Sequence, residues 1–273
     1  MKPAPFSYAR ARSLPEALAM LGADAQSLPL AGGQSLAPML NLRMTICESL
    51  VDIGAIAELL VASETNDHVT IGAAVTHAMI EDGSVPDPAH GMMRRAAQKI
   101  AYRAIRCHGT IGGSVAMADP AADWPCILLA LDAIALVAGA SGERRVPLDR
   151  LLVGTYETSL QQGEIIRAFE IPKLPPDARA TTCKINRKTG AFADSIVTAV
   201  HNGQKSRVVL GAAGPRARIL ENASMSMAKN INGAALDQAI STDIAGMLPE
   251  DDAYLKHLHA TNVKRAINEV MTP

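Results

Sequence analysis

The sequence predicts an α+β fold of three consecutive units, and three observations carry that prediction. Residues 1–56 show a β-α-β order around a Gly-Gly loop. Residues 57–172 hold short strands and helices and close on the alternating segment GEIIRAFEIP at 163–172. Beyond a linker at 173–178 the composition shifts, and residues 178–273 open with strands and end in helical patterns.

Ser13-Leu14-Pro15-Glu16 reads as an N-cap with proline early in the first turn, and Ala17, Leu18 and Leu21 give an apolar face closed by Gly22. Residues 28–31 form the strand that enters the first glycine loop. A second strand covers 49–53 and ends at Gly54. After the polar turn 64–68 comes a strand at 69–73, and residues 75–77 open a helical segment. His77 there has two readings, a cofactor neighbour or the polar surface residue common near helix starts. Past the proline-rich loop 85–88, a helix is predicted from Met92 to Ala101.

From Trp124, residues 125–131 are apolar on nearly all sides, which fits a buried helix pressed on a sheet. Residues 133–138 read as a core strand and 144–147 as its hairpin partner, with Arg144 and Arg145 on a solvated edge. In the last unit, 184–188 is a strand with a basic rim, 195–200 is strand or helix, and 207–212 is a strand. Helical patterns follow, through Leu236, Ile240 and Ile244 and then over 254–270. His257-x-His259 fits a surface helix better than a metal motif.

Composition narrows the partners. With 273 residues, 48% hydrophobic and 19% charged, the chain can bury a sizeable core. A net charge of −1 and only one Trp, four Tyr and three Phe give no electrostatic or stacking case for nucleic acid. No apolar run is long enough to span a membrane, and the N-terminal stretch lacks the apolar core of a secretory signal, so a cytoplasmic protein is expected. Cys47, Cys107, Cys126 and Cys183 are far apart with no C-x-x-C pair, which reads as scattered buried thiols and not as an iron–sulfur or zinc motif.

The chemistry lies in two glycine loops. Residues 29–43, PLAGGQSLAPMLNLR, run from a strand through Gly32-Gly33-Gln34-Ser35 into a second apolar stretch. Adjacent glycines allow positive φ and remove Cβ atoms, so successive N–H groups can converge on a phosphate or pyrophosphate. About eighty residues on, Thr110-Ile111-Gly112-Gly113-Ser114 repeats the theme, followed by a carboxylate at Asp123 able to accept from ribose hydroxyls. One such loop alone is more often an ordinary turn than a binding site. The pair suggests a dinucleotide gripped from two sides, without the Rossmann G-x-G-x-x-G fingerprint.

These residues carry a resemblance. AGGQSLAPMLNLR, LVDIGAIAEL, VTIGAAVTH, GTIGGSVAMADPAAD and GEIIRAFEIP stand in family order, and from about Phe6 to Asp252 the chain resembles the medium, FAD-binding subunit of the molybdenum hydroxylases. The resemblance implies a two-domain FAD-binding fold of the PCMH/vanillyl-alcohol-oxidase-like type, then a small C-terminal α+β domain. It implies FAD in this chain, [2Fe–2S] clusters in a small partner subunit and a molybdenum cofactor in a large one, assembled as a dimer of heterotrimers. Electrons would pass from the clusters through FAD to an external acceptor.

Carried over by position, the resemblance places Leu30, Ala31, Gly32, Gly33, Gln34, Ser35 and Leu36 at the pyrophosphate. It adds Ile100, Ala101, Thr110, Gly113 and Ser114, with Asp123 at the adenosine ribose and Ile166 and Lys184 near the flavin end. Phe192 falls where relatives place a tyrosine over the flavin ring. Each has a plain alternative: Lys184 on a solvated edge, Asp123 as a helix cap, Phe192 in the core. The chain departs from the family at Cys107, His108 and Ala191, so local polar contacts are expected to differ there. Two rival functions go with these readings, a free-standing flavin oxidoreductase and a flavin-free assembly module. Proteins of the first kind often tether the flavin beside the first loop, where 29–43 holds neither Cys nor His, and need a substrate-covering domain, whereas the last unit here is small; the two retained Gly-Gly loops speak against the second.

Overall fold

A computed structural model describes residues 2–203, 205–248 and 252–272. Three short parallel strands start the chain: β1 (Ser7–Arg10), β2 (Ser27–Leu30) and β3 (Ser49–Asp52), in the order β1-β3-β2. Parallel strands need crossovers. α1 (Leu14–Ala23) joins β1 to β2, and α2 (Leu36–Asn41) joins β2 to β3. Ser13 Oγ caps α1 by accepting from the Glu16 amide, and Ala17 and Leu21 face the core. β1 is absent from the sequence reading for a physical reason: its residues are mostly exposed, so no apolar alternation marks it.

The second sheet is antiparallel. β4 (Ala62–Glu64) and β5 (His68–Gly72) are followed by five helices, α3 (His77–Glu81), α4 (Met92–Ala97), α5 (Arg103–Arg106), α6 (Ile111–Met117) and α7 (Asp123–Ala130). Then come β6 (Ile134–Gly139), β7 (Gly142–Pro147), α8 (Leu148–Leu151), the small hairpin β8 (Leu152–Gly154) and β9 (Glu157–Thr158), and β10 (Ile165–Pro172). The sheet order is β4-β5-β10-β6-β7. α4 stops at Ala97, short of the predicted Ala101. Arg106 Nη1 donates to the carbonyls of Ile100 (2.9 Å) and Ala101 (3.1 Å), and Ala101 takes a φ of 41°, which turns the chain out of the helix. The edge arginines are paired, Arg144 with Glu164 and Arg145 with Glu170.

The third sheet runs β11 (Arg179–Ile185), β12 (Ser195–His201), β13 (Ser206–Gly211) and β14 (Arg218–Ile219), with α9 (Glu221–Ala228), α10 (Ala234–Ala245) and α11 (Ala253–Met271) after it. Residues 195–200 are a strand, and all are buried, because α7 packs on one face of the sheet and α11 on the other. A strand covered on both faces shows no alternation, which is why periodicity left it open. The basic-rimmed strand lies earlier than predicted. It ends at Ile185, and residues 186–194 form a loop.

α7 is buried along its whole length, since it is pressed between two sheets and not against one. Three other expectations change. His259 is buried, with Nδ1 2.9 Å from Ser195 Oγ, so α11 turns it inward. Cys107 is exposed, unlike the other three cysteines. Of the two readings for His77, the surface one falls: the residue is buried, because Trp124 of α7 packs on it.

Candidate cofactor site

The carboxyl ends of β2 and β3 open onto a cavity of about 600 Å³, within the range of small-ligand sites. Ligands in parallel sheets gather at this end of the strands. Leu30 and Ile53 close it from below, with the Ile53 amide bonded to the Leu30 carbonyl at 2.9 Å. Asp52 steadies the turn: it accepts from Tyr8 Oη (2.6 Å), Arg10 Nε (3.0 Å) and the Gly54 amide (2.9 Å).

From Leu30 the chain enters the first loop. The amides of Gly32, Gly33, Gln34 and Ser35 have no protein acceptor among the described residues. Gly32 and Gly33 are half-buried and Gln34 and Ser35 exposed, and successive free N–H groups on such a tight loop form a concavity that binds acceptors. Gly33 has a φ of 68°, and a Cβ on Gly32 would lie 2.0 Å from the His108 carbonyl oxygen. Glycine at Gly32 is what lets the two loops touch. Gln34 Nε2 closes the turn on the Gly32 carbonyl at 2.9 Å.

The second loop is built the other way. Its amides are bonded within the protein: Ile111 to the Val75 carbonyl (3.0 Å), Gly112 to that of Ala73 (2.9 Å), Gly113 to Thr110 Oγ1 (3.0 Å) and Ser114 to the Thr110 carbonyl (3.0 Å). A Cβ on Gly112 would stand 2.4 Å from Ala73 Cβ, so this glycine packs α6 onto the chain leaving β5. What the loop turns to the cavity is hydroxyls, from Thr110 and Ser114, and bare backbone at Gly113. The turn at Ile100 and Ala101 is held by Arg106, whose Nε and Nη2 also clasp Glu81 at 2.8 and 2.9 Å.

Asp123 and Lys184 meet across the cavity wall. Lys184 Nζ donates to Asp123 Oδ2 at 2.9 Å, with side chains only 5% and 7% exposed. Burial pushes the Asp123 carboxyl above its ordinary range, while the Lys184 ammonium pulls it back. The solvated-edge alternative for Lys184 is thereby excluded. The two side chains meet at one point of the cavity wall. Phe192 is 62% exposed at the rim, which excludes the core alternative. Cys107 and His108 are exposed, and it is the His108 backbone that meets Gly32.

All sixteen positions named from the sequence line this cavity: Leu30, Ala31, Gly32, Gly33, Gln34, Ser35, Leu36, Ile100, Ala101, Thr110, Gly113, Ser114, Asp123, Ile166, Lys184 and Phe192. Sequence reasoning missed Ile53, Tyr102, Ile105 and Glu164, which also line it, and of the two readings it left for His77 the cavity lining fits the cofactor neighbour. Only the strand ending at Ile53 carried a signal. Free amides, a cradle that a Cβ would fill and a cavity of this volume fit a dinucleotide such as FAD.

The comparisons agree. Residues 4–174 match the family described as FAD binding domain in molybdopterin dehydrogenase. The chain is 36% identical over 259 residues to the 6-hydroxypseudooxynicotine dehydrogenase complex subunit alpha of Paenarthrobacter nicotinovorans, covering 91% of this chain and 87% of that one. It is 32% identical over 285 residues to the carbon monoxide dehydrogenase medium chain of Hydrogenophaga pseudoflava, covering 98% of each. Among solved structures, carbon monoxide dehydrogenase from H. pseudoflava lacking the Mo-pyranopterin moiety matches with a TM-score of 0.92 at 30% identity, over 99% of this chain and 98% of that. Quinoline 2-oxidoreductase from Pseudomonas putida 86 matches at 0.87 and 28% identity, over 99% and 100%. The α+β fold expected from the resemblance is the fold of these proteins. By sequence and by structure, the chain belongs to the family of FAD binding domains in molybdopterin dehydrogenases.

Proposed function

We propose that this chain is the FAD-binding medium subunit of a heteromeric molybdenum hydroxylase. Bound FAD would take electrons from [2Fe–2S] clusters in a small partner subunit and deliver them to an external acceptor. The observation that carries the reading is the first loop: free amides at Gly32, Gly33, Gln34 and Ser35, at the carboxyl ends of two parallel strands, facing a cavity of about 600 Å³. The loop binds the pyrophosphate, Thr110 and Ser114 add hydroxyls, and the buried Asp123–Lys184 pair presents a polar patch to the cofactor without a net charge. Ile166 gives an apolar wall and Phe192 a rim group over the opening.

The wider assembly follows from the same reading. The large partner would hold the molybdenum cofactor, and the complex would be a dimer of heterotrimers in the cytoplasm. Among the described residues no helix is long and apolar enough to cross a membrane. The division into units at 1–56, 57–172 and 178–273 goes with this picture, the first two enclosing the cofactor.

The test is the visible spectrum of the purified chain, alone and co-expressed with its partners, followed by acid release of the chromophore. Flavin bands with released FAD are expected in both, and iron–sulfur absorbance only in the co-expressed sample. A colourless chain that cannot be reconstituted with FAD would overturn the proposal in favour of an assembly module.

A further inference from the structure

His77 is only 6% exposed, yet one of its ring nitrogens has no protein partner among the described residues. Trp124 Nε1 can only donate, and it donates to His77 Nδ1 at 3.0 Å. A nitrogen that accepts carries no proton, so the neutral ring holds its proton on Nε2. Burial, and then the nearby Arg106 guanidinium, push this histidine down to about 4, which keeps the ring neutral around pH 7.

The surroundings give that N–H a direction. The His77 backbone amide donates to the Gly109 carbonyl at 2.9 Å, which places the ring beneath the start of the second loop. A Cβ on Gly109 would lie 2.8 Å from Nε2, so only glycine there leaves the N–H uncovered. The Gly109 Cα in turn would lie 2.9 Å from a Cβ on Gly32. The two loops therefore meet above this ring, and His77, Gly109 and Gly32 all line the cavity. His77 lines the cavity, so its N–H is within reach of a ligand oxygen at this joint and has no protein acceptor to give up among the described residues.

We propose that His77 Nε2–H is a fixed hydrogen-bond donor to a phosphate oxygen of the dinucleotide, at the joint between the two glycine loops. The inference rests on the FAD reading and adds a ligand contact from outside both loops. Trp124 sets the tautomer, and the ring offers direction without a charge.

The experiment uses the full chain and FAD, with binding followed by quenching of Trp124, its single tryptophan, or by flavin fluorescence. His77→Leu should weaken FAD about tenfold, the worth of one hydrogen bond at the upper end of the usual range. Trp124→Phe removes the bond to Nδ1 but keeps the donor, and should cost clearly less. His77→Gln, with an amide N–H near the place of Nε2, should recover part of the loss. Equal losses in Trp124→Phe and His77→Leu would mean that His77 acts only by holding Trp124, and would overturn the proposal; so would unchanged binding in His77→Leu. If the leucine variant does not fold, the unmodified chain decides. Its His77 ring N–H resonance should move on addition of FAD, and an unmoved resonance would overturn the contact. A wild-type chain that takes up no FAD would overturn the FAD reading itself.

Discussion

Among the described residues, the first glycine loop leaves the amides of Gly32, Gly33, Gln34 and Ser35 unpaired, whereas the second uses those of Ile111, Gly112, Gly113 and Ser114 inside the protein. Both read Gly-Gly in the sequence, for different steric reasons. Gly33 needs a positive φ and Gly32 must let the His108 backbone approach, so that the loop can aim its donors outward. Gly112 must let α6 lie on Ala73, and its loop contributes shape and hydroxyls. A Gly-Gly pair is thus a statement about close approach. Whether what approaches is a ligand or the protein's own backbone depends on which amides the fold has already bonded.

The comparison can be broken at several places. The largest effect is expected at the pair beyond the second loop. Asp123→Ala would leave the Lys184 ammonium buried without its partner and should cost about 3–5 kcal/mol of stability, with flavin content falling too. The double variant Asp123→Leu/Lys184→Met should recover most of that loss in a denaturant titration. A double variant as unstable as the single one would show that packing, and not charge, governs this wall.

The next effect is one of pH. His77 is held down to about 4 against an ordinary 6.5, so between those values the unfolded chain binds a proton that the folded chain refuses. Stability should therefore fall as pH drops from about 6.5 to 4, by about 3 kcal/mol in all, and be unaffected by this group above that window. Thermal melts of wild type and His77→Gln across this range would check it. The variant should show a shallower slope, and parallel slopes would refute the assignment.

The two loops themselves come last. Gly32→Ala places a methyl 2.0 Å from a backbone oxygen and should weaken FAD about a hundredfold, or about 2.7 kcal/mol, as the loops are forced apart. Gly112→Ala should instead cost about 1–3 kcal/mol of stability by overpacking against Ala73, with a smaller change in FAD affinity for the folded fraction. Chemical denaturation and a FAD titration on both variants separate the cases. If the two lose affinity and stability alike, the distinction between donor loop and packing loop fails.

The sequence by itself determined the chain's family. The strand before Gly32, the cap at Ser13 and the apolar segment after Trp124 are local patterns, since caps, glycine freedom and continuous apolar runs depend on neighbours in the chain. All sixteen positions carried over from the resemblance lie on one cavity. What only the tertiary structure decided were the states of groups that meet across long stretches of chain. Asp123 and Lys184 form one buried pair, His259 turns inward to Ser195, and residues 195–200 become a strand because two layers cover them. His77 likewise has its tautomer fixed by a tryptophan far along the chain. Burial, and with it charge state and the use of each amide, is a property of what packs from elsewhere, and no window of sequence contains that information.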